Sequence, residues 1–278
     1  KDDVPVKNDP DEFLIKDIDK DKLYEFLREM EFNRLLSQAI SFYGEQDDKE
    51  TNTKIKSKKI CKIDTKSYKS ILKEKELNDL IKNLNEQSII AVDTETSSLN
   101  PQEAELIGIS ISYAANVSFY IPLGHKDTKG IKKELVLKKL KTILEDSSIK
   151  KVGQNIKYDF IIFKNYGIEL NSIEDTMLLS YTLDAGNNRH NMDTLSELHL
   201  GHKTISYKDL VGTGKKKLNF SDIKLKAATE YAAEDADVTL RLYNILSERV
   251  SEEKLDKIYE VFEKPMIKIL SKLETNGI

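Results

Sequence analysis

The chain is poor in the residue types that stabilise small secreted proteins and membrane proteins. Its 278 residues include one cysteine, Cys61, no tryptophan and five prolines, which excludes an intrachain disulfide and a zinc site built from several cysteines. Its longest apolar runs, such as Ile89–Val92, are far shorter than the ~20 residues of a membrane span. The net charge is -4 although 33% of the residues are charged. The composition therefore predicts a soluble intracellular protein without a membrane partner, in which only a local patch could attract a polyanion.

The sequence divides into three parts by pattern. Residues 1–53 are predicted to form an N-terminal helical segment, with apolar side chains at helical spacing between Leu23 and Ala39, followed by a polar linker. Residues 54–250 combine strand and helix candidates, as in an α/β domain. Residues 251–278 continue in a helical pattern.

The middle of the chain predicts a mixed central sheet flanked by helices. Ile89–Glu95 is an apolar run that ends in acidic residues, as a buried strand would. The two strand candidates that follow are joined by a short hairpin connection. Strand candidates cover residues 59–63, 89–95, 106–113, 117–123 and 150–153. Helix candidates cover 77–84, 135–144, 156–166, 175–183, a stretch from 191 and 222–250, and residues 202–221 are predicted to be a loop.

Asp93 and Glu95 are the first candidate site residues. Residues i and i+2 of a strand project from the same face, so the two carboxylates point the same way. The spacing alone is uninformative, because Asp48 and Glu50 share it within the polar linker. The end of a buried strand is where ligands gather in α/β sheets, although a strand-end acid that faces water is the alternative.

Two further motifs carry a carboxylate four residues after a polar side chain. Asn155 and Asp159 would share one face of a helix, although Asn155 could instead be a plain N-cap. Tyr231 and Asp235 would also share a helix face, in an alanine-rich segment that can pack closely on other backbone. Neither spacing is specific alone, because Tyr43 and the linker acid four residues later repeat the second one.

Together and in this order, the three motifs resemble the proofreading 3'-5' exonuclease domain of the family A DNA polymerases. The resemblance extends over about residues 55–278, and residue 230 is Glu rather than the His of a related branch. It implies a ribonuclease-H-like fold. The matching segments are Val92–Thr96, Gly153–Asp159, His190–Leu195, Leu200–Ile205 and Tyr231–Thr239.

The resemblance also implies how the site works. Four carboxylates share a small site only if cations neutralise them, and oxygen ligands suit two divalent ions, Mg²⁺ or Mn²⁺. By the family's pattern, the protein hydrolyses the 3' end of single-stranded or mismatched DNA and releases nucleoside monophosphates. Tyr231 orients the attacking water. The expected metal ligands, which with Tyr231 make up the catalytic set, are Asp93, Glu95, Asp159 and Asp235.

Four residues are expected to bind the DNA strand. Leu99, in a polar turn, would wedge against the terminal bases, or would be a core leucine under the turn. Phe220 would stack on a base, or would be a hydrophobic staple before the next helix. Gln154 and Asn155 would hydrogen-bond phosphate or sugar. Three consecutive lysines at 215–217 could attract phosphate but are more typical of a solvated loop.

Two other functions remain open from the sequence. A ribonuclease-D or Werner-type exonuclease shares the carboxylates and the tyrosine. A non-catalytic exonuclease fold that binds DNA would have lost a carboxylate, whereas all four are present. The ends of the chain favour the polymerase type, because residues 27–36 and 263–278 resemble segments that flank this domain, and a polymerase domain is the expected partner beyond residue 278.

The lysine-rich composition adds an expectation about the source. Arginine occurs at five positions, so nearly all of the 44 basic residues are lysine. Together with frequent isoleucine and asparagine, this indicates an AT-rich genome. Combined with the resemblance, it predicts a location in the apicoplast, a plastid.

Overall fold

The computed structural model describes residues 18–30, 32–44, 62–214 and 218–278. The chain forms two compact units, Lys1–Lys58 and Lys59–Ile278. Most of the predicted linker, most of the strand candidate at 59–63 and the lysines at 215–217 lie outside the described residues. Among the described residues, no helix is both long and apolar enough to cross a membrane.

In the part of the first unit that the structure describes, two helices stand where the sequence predicted one. Helix α1 covers Lys20–Glu29 and helix α2 covers Asn33–Tyr43. The chain turns between them because the amide of Phe32 donates to the carbonyl oxygen of Leu27, at 2.9 Å, which closes the end of α1. The hydroxyl of Tyr24, a buried residue, donates to the carbonyl oxygen of Gly44 at 2.7 Å.

The second unit is built on a six-stranded mixed sheet in the order β1-β4-β3-β2-β5-β6. Strands β2, β3 and β4 are antiparallel, whereas the pairs β1–β4, β2–β5 and β5–β6 are parallel. This confirms the predicted mixed sheet. Strands β1 and β6 were missed because two or three residues are too few to show an alternating pattern. The strands are β1 Lys69–Ser70, β2 Ile89–Thr96, β3 Leu106–Ala114, β4 Val117–Pro122, β5 Lys150–Gly153 and β6 Ile173–Asp175.

Helices cover both faces of this sheet. One of them, α8, is a single turn within the stretch predicted to be a loop, and it is too short to show helical periodicity. A π-helical segment, Tyr259–Glu263, joins the last two helices. The helices of this unit are α3 Glu74–Asn85, α4 Lys133–Leu144, α5 Lys157–Asn165, α6 Thr176–Asp184, α7 Met192–Leu200, α8 Tyr207–Val211, α9 Leu225–Glu252, α10 Asp256–Ile258 and α11 Lys264–Thr275.

The alternation of strand β2 separates two cores. Ile90 and Val92 point into the core formed with α3, α4 and α5, whereas Ala91 packs against residues of α9 on the other face. By the same period of two, the side chains of Asp93 and Glu95 lie on the α9 face. Buried alanines along α9 have small side chains, which let this helix lie close to the sheet. Helix α9 therefore brings its own side chains within reach of the end of β2.

The C-terminal helical segment packs against the same domain. Tyr259 donates a hydrogen bond to Glu174 at 3.0 Å, and the Lys264 ammonium lies 2.9 Å from the same carboxylate. Lys157, at the start of α5, forms an ion pair with Glu274 of α11. Residues 256–275 are thus tied to β6 and α5.

Candidate active site

Three carboxylates meet at the end of strand β2. Single oxygen atoms of Asp93, Glu95 and Asp235 all lie within 4.8 Å of one another. The strand supplies the first two, and α9 supplies the third. Glu95 and Asp235 are buried, and Asp93 is partly exposed. The strand-end acids thus face another carboxylate at close range, which the water-facing alternative does not explain.

Tyr231 lies one turn before Asp235 on α9, so the predicted i, i+4 relation is present. The interaction of its phenol with the Asp235 carboxylate opposes part of the rise in the pKa of Asp235. Burial, followed by the charges of Asp235 and Glu95, raises the pKa of Tyr231 above its usual range. The phenol is therefore protonated at neutral pH.

The fourth predicted carboxylate, Asp159, approaches from the opposite layer. It lies in the first turn of α5, where one oxygen accepts hydrogen bonds from the amide of Thr94 at 2.9 Å and from its hydroxyl at 2.5 Å. Asp159 is 3% exposed, yet it lines the same cavity, of about 770 Å³, as the other three. Helix α5 and strand β2 are thus joined at the residue between Asp93 and Glu95.

Asn155 does not belong to the helix that carries Asp159, so the helical reasoning about this pair was wrong. Helix α5 begins at Lys157 with Ile156 as its N-cap, and Asn155 has a φ of 57°. This left-handed conformation is one that asparagine tolerates better than most residues. The alternative role of Asn155 as the N-cap is excluded too. The turn nevertheless leaves Asn155 exposed at the cavity.

Gln154 also lines the cavity, but the protein uses both ends of its amide. Its nitrogen donates to the carbonyl oxygen of His190 at 2.7 Å, and its oxygen accepts from the hydroxyl of Thr176 at 2.5 Å. A hydrogen bond to phosphate or sugar would compete with these two bonds. Asn155 is therefore the better placed of the two predicted polar contacts.

Leu99 is 95% exposed at the edge of the cavity. This exposure excludes the alternative that it is a core leucine under the turn. An apolar side chain held in water at the mouth of a polar cavity has its surface available for an apolar ligand.

Phe220 is 1% exposed, which contradicts its predicted role in base stacking. Its ring packs against Tyr120, with ring centroids 6.4 Å apart, and against Tyr231, at 6.1 Å. The physical reason is that the short helical turn Phe220–Asp222 directs the ring under α9 rather than into the cavity. Phe220 therefore supports Tyr231 from behind.

Tyr207 is an aromatic cavity residue that the sequence reasoning missed. It begins helix α8, lines the cavity, and places its ring centroid 5.9 Å from that of Tyr231. The segment before it is fixed by Glu234, whose carboxylate accepts from the amide of Ile205 at 2.6 Å and lies 2.8 Å from His202. The available signal was an aromatic residue inside a segment otherwise typical of a loop.

The carboxylates strongly perturb one another. Burial raises the pKa of Asp93 to about 6. Burial and the negative charge of Asp93 raise the pKa values of Glu95, Asp159 and Asp235 well above the usual range. Such a set of hard oxygen donors, with uncompensated negative charge, fits divalent cations such as Mg²⁺ or Mn²⁺.

Replacing Asp93 with asparagine is expected to stabilise the protein in excess chelator at pH 8. The folded-state pKa of about 6 is above the ordinary value of 3.8. The stability that this group contributes is therefore present at low pH and is lost as the pH rises through about 6. Scanning calorimetry should show a gain on the order of 3 kcal/mol for Asp93→Asn at pH 8.

The same comparison at pH 4 is the control, because the carboxyl of the unchanged protein is then mostly protonated and the difference should shrink. A variant that is no more stable than the unchanged protein at pH 8 would show that the cluster carries no electrostatic strain.

Comparison with known proteins places this chain in a family. A family model described as 3'-5' exonuclease matches residues 68–251. The chain is 44% identical to DNA polymerase I of Rhizobium leguminosarum over 210 residues, which cover 68% of the chain and 21% of the relative. It is 35% identical to DNA polymerase I of Pseudomonas aeruginosa over 286 residues, which cover 100% of the chain and 30% of the relative. The chain thus spans less than a third of either relative.

Among solved structures, Brucella melitensis NrnC has a similar fold. Its TM-score is 0.58 at 20% sequence identity, and the match covers 76% of this chain and 93% of that one. At this identity the likeness concerns the fold alone, and it agrees with the ribonuclease-H-like architecture.

Proposed function

Because the chain belongs to the 3'-5' exonuclease family of DNA polymerase I-like proteins, we propose that it removes nucleoside monophosphates from the 3' end of single-stranded or mismatched DNA. The observation that carries the proposal is the meeting of Asp93, Glu95 and Asp235 within 4.8 Å, beside Tyr231 and Asp159. In the full-length protein the activity would be proofreading.

The four carboxylates and Tyr231 have different roles in the proposed hydrolysis. Asp93, Glu95, Asp159 and Asp235 would hold two divalent ions, which when bound would neutralise the carboxylates and favour a hydroxide nucleophile. Tyr231 remains a protonated phenol because its pKa is raised. It therefore positions the attacking water by hydrogen bonding and does not act as the base. Water attacks the terminal phosphorus, and the bond from phosphorus to the 3' oxygen of the preceding nucleotide breaks.

The DNA strand would be held by contacts that accept any base. Leu99 offers an exposed apolar side chain, and Tyr207 offers an aromatic ring at the cavity wall. Asn155 can hydrogen-bond the sugar-phosphate backbone from the turn before α5. Stacking and apolar contact are largely independent of sequence, which an exonuclease that removes mismatches needs.

The C-terminal residues support a polymerase domain as the partner in the longer protein. We propose that residues 1–53, 54–250 and 251–278 are a helical segment with its linker, the exonuclease domain and the helical start of the polymerase domain. The last of these presents an apolar surface that a neighbouring domain could cover. Its exposed apolar side chains include Ile258, Val261, Phe262, Met266, Ile269, Leu270 and Leu273. The apicoplast location rests on composition and resemblance and stays a prediction.

Exonuclease activity is tested with a 5'-labelled single-stranded DNA, with Mg²⁺ or with excess chelator. We expect single-nucleotide shortening from the 3' end only with Mg²⁺, and none with Asp93→Ala. Tyr231→Phe should reduce kcat by ~10²-fold, because only the placement of the water is lost. Calorimetric Mn²⁺ binding should be unchanged in Tyr231→Phe.

Matched substrates separate the alternatives. A circular single strand has no 3' end and should remain intact. Faster degradation of an RNA of the same sequence would favour a ribonuclease-D-type enzyme. DNA binding by the unchanged protein without any Mg²⁺-dependent hydrolysis would instead indicate a non-catalytic fold.

Truncation of the two exposed cavity residues tests strand binding. Leu99→Ala and Tyr207→Ala should each weaken binding of single-stranded DNA by ~1–3 kcal/mol, with little dependence on sequence. The melting temperature of Leu99→Ala should change little, since Leu99 is 95% exposed. That of Tyr207→Ala should fall, because the Tyr207 ring also packs against Tyr231.

Phe220→Ala is the matched control for this measurement, because it removes a buried aromatic ring. It should cost ~3–5 kcal/mol of stability. If Leu99→Ala lowered the melting temperature as much as Phe220→Ala and left DNA binding intact, its proposed role would be wrong.

A further inference from the structure

Asp175 makes more hydrogen bonds than a helix cap requires. It is the last residue of β6 and the N-cap of α6, and it is 1% exposed. One carboxylate oxygen accepts from the amides of Met177, at 2.8 Å, and Leu178, at 3.4 Å, as N-cap residues do. The same oxygen also accepts from the amide of Asn155 at 3.1 Å, and the other oxygen accepts from the amide of Ile156 at 3.0 Å.

The two additional bonds act on the turn that leads into helix α5. Asn155 has its left-handed backbone here, and Ile156 is fully buried. Without Asp175 these two amides would lose the acceptor that the structure provides, at a cost in free energy for the folded turn. The turn is followed within four residues by Tyr158 and Asp159, which line the cavity.

We propose that Asp175 is a positioning residue for the exonuclease reaction. It fixes the Asn155–Ile156 turn and, through that turn, the start of α5 with Asp159. This inference rests on the proposed function. Asp175 is absent from the cavity wall, so it acts through the backbone and not on the substrate.

The proposed role of Asp175 is to keep Asp159 at a fixed distance from the other three carboxylates. Asp159 is held at its own end by Thr94, and Asp175 holds the residues just before it. Releasing the turn lets α5 shift relative to β2, while Asp93, Glu95 and Asp235 stay in place on their own elements. A displacement of about 1 Å in a catalytic group can reduce a rate by ~10²-fold.

Asp175→Ser separates the two functions of the carboxylate. A serine hydroxyl remains a good N-cap for α6, but its single oxygen on a shorter side chain cannot also accept from Asn155 and Ile156. Asp175→Asn is the conservative variant. Its amide oxygen can accept the hydrogen bonds of one carboxylate oxygen, but its amide nitrogen is a donor and cannot accept from the Ile156 amide, so this variant should lose only that bond. Leu246→Ala is the matched control, since it removes a fully buried side chain three turns along α9 from Asp235.

Amide hydrogen exchange gives a readout that does not depend on activity. In Asp175→Ser, exchange at Asn155 and Ile156 should be faster by about tenfold, while the α6 amides of Met177 and Leu178 stay protected. Mn²⁺ binding, measured by calorimetry, should weaken in the same variant. In Leu246→Ala neither quantity should change, although the melting temperature falls.

Kinetics give the second readout. We expect kcat on single-stranded DNA to fall by ~10²-fold in Asp175→Ser, with a smaller change in KM, and Asp175→Asn to recover part of the loss. Unchanged exchange at Asn155 and Ile156, or a loss of kcat no greater than in Leu246→Ala, would overturn the proposal. Faster exchange at all four amides together would show that Asp175 is only the cap of α6.

These outcomes are distinct from failure of the proposed function. If the unchanged protein did not degrade DNA, the proposed function would be wrong, and the exchange and Mn²⁺ measurements would still decide whether Asp175 positions α5. If Asp175→Ser did not fold, the same two measurements on Asp175→Asn would decide, through selective loss of protection at Ile156.

Discussion

Mutual repulsion among four closely placed carboxylates is the constraint on which the arrangement of the domain depends. Four acidic groups from three elements lie around one cavity, and burial and their charges raise their pKa values. The repulsion among these carboxylates would move them apart, so contacts of the surrounding elements must keep them in place. The alanine face of α9 and the Thr94–Asp159 bonds serve this purpose from opposite sides of the sheet.

The need to hold the carboxylates rigidly explains why the site lies between the sheet and the helices on its two faces. Strand β2 is central in the sheet and pairs on both sides, with β3 and β5. At the two acids only β3 is the partner, since Asp93 and Glu95 pair with Ser110 and Gly108 while the pairing with β5 ends at Ala91. Asp93 and Glu95 therefore cannot move apart without breaking the pairing with β3. Asp235 and Asp159 are carried by helices on opposite faces, and each helix packs into its own core.

The sequence predicted those parts of the site that follow a simple periodicity. The period of two placed Asp93 and Glu95 on one face, and the spacing of four placed Tyr231 with Asp235 on α9. Asn155 was predicted as a site residue, but its backbone conformation was not, because one left-handed residue interrupts the helical period. Phe220 and Tyr207 each begin a short helical turn. The sequence did not predict which of the two rings is buried, because this depends on tertiary packing. Asp175 was not identified because its partners are backbone amides, which leave no side-chain pattern.

Hydrogen bonds and ion pairs join the C-terminal helical segment to β6 and α5, so α11 is an integral part of this domain. Cutting the chain after residue 250 would remove Tyr259 and Lys264 from the buried carboxylate of Glu174 and leave Lys150, at 3.6 Å, as its remaining ion-pair partner. It would also uncover the core side that Ile267 now fills. A load applied to α11 would reach the first turn of α5 through Lys157 and Glu274. A domain attached beyond this helix could therefore change the position of the first turn of α5, which carries Asp159.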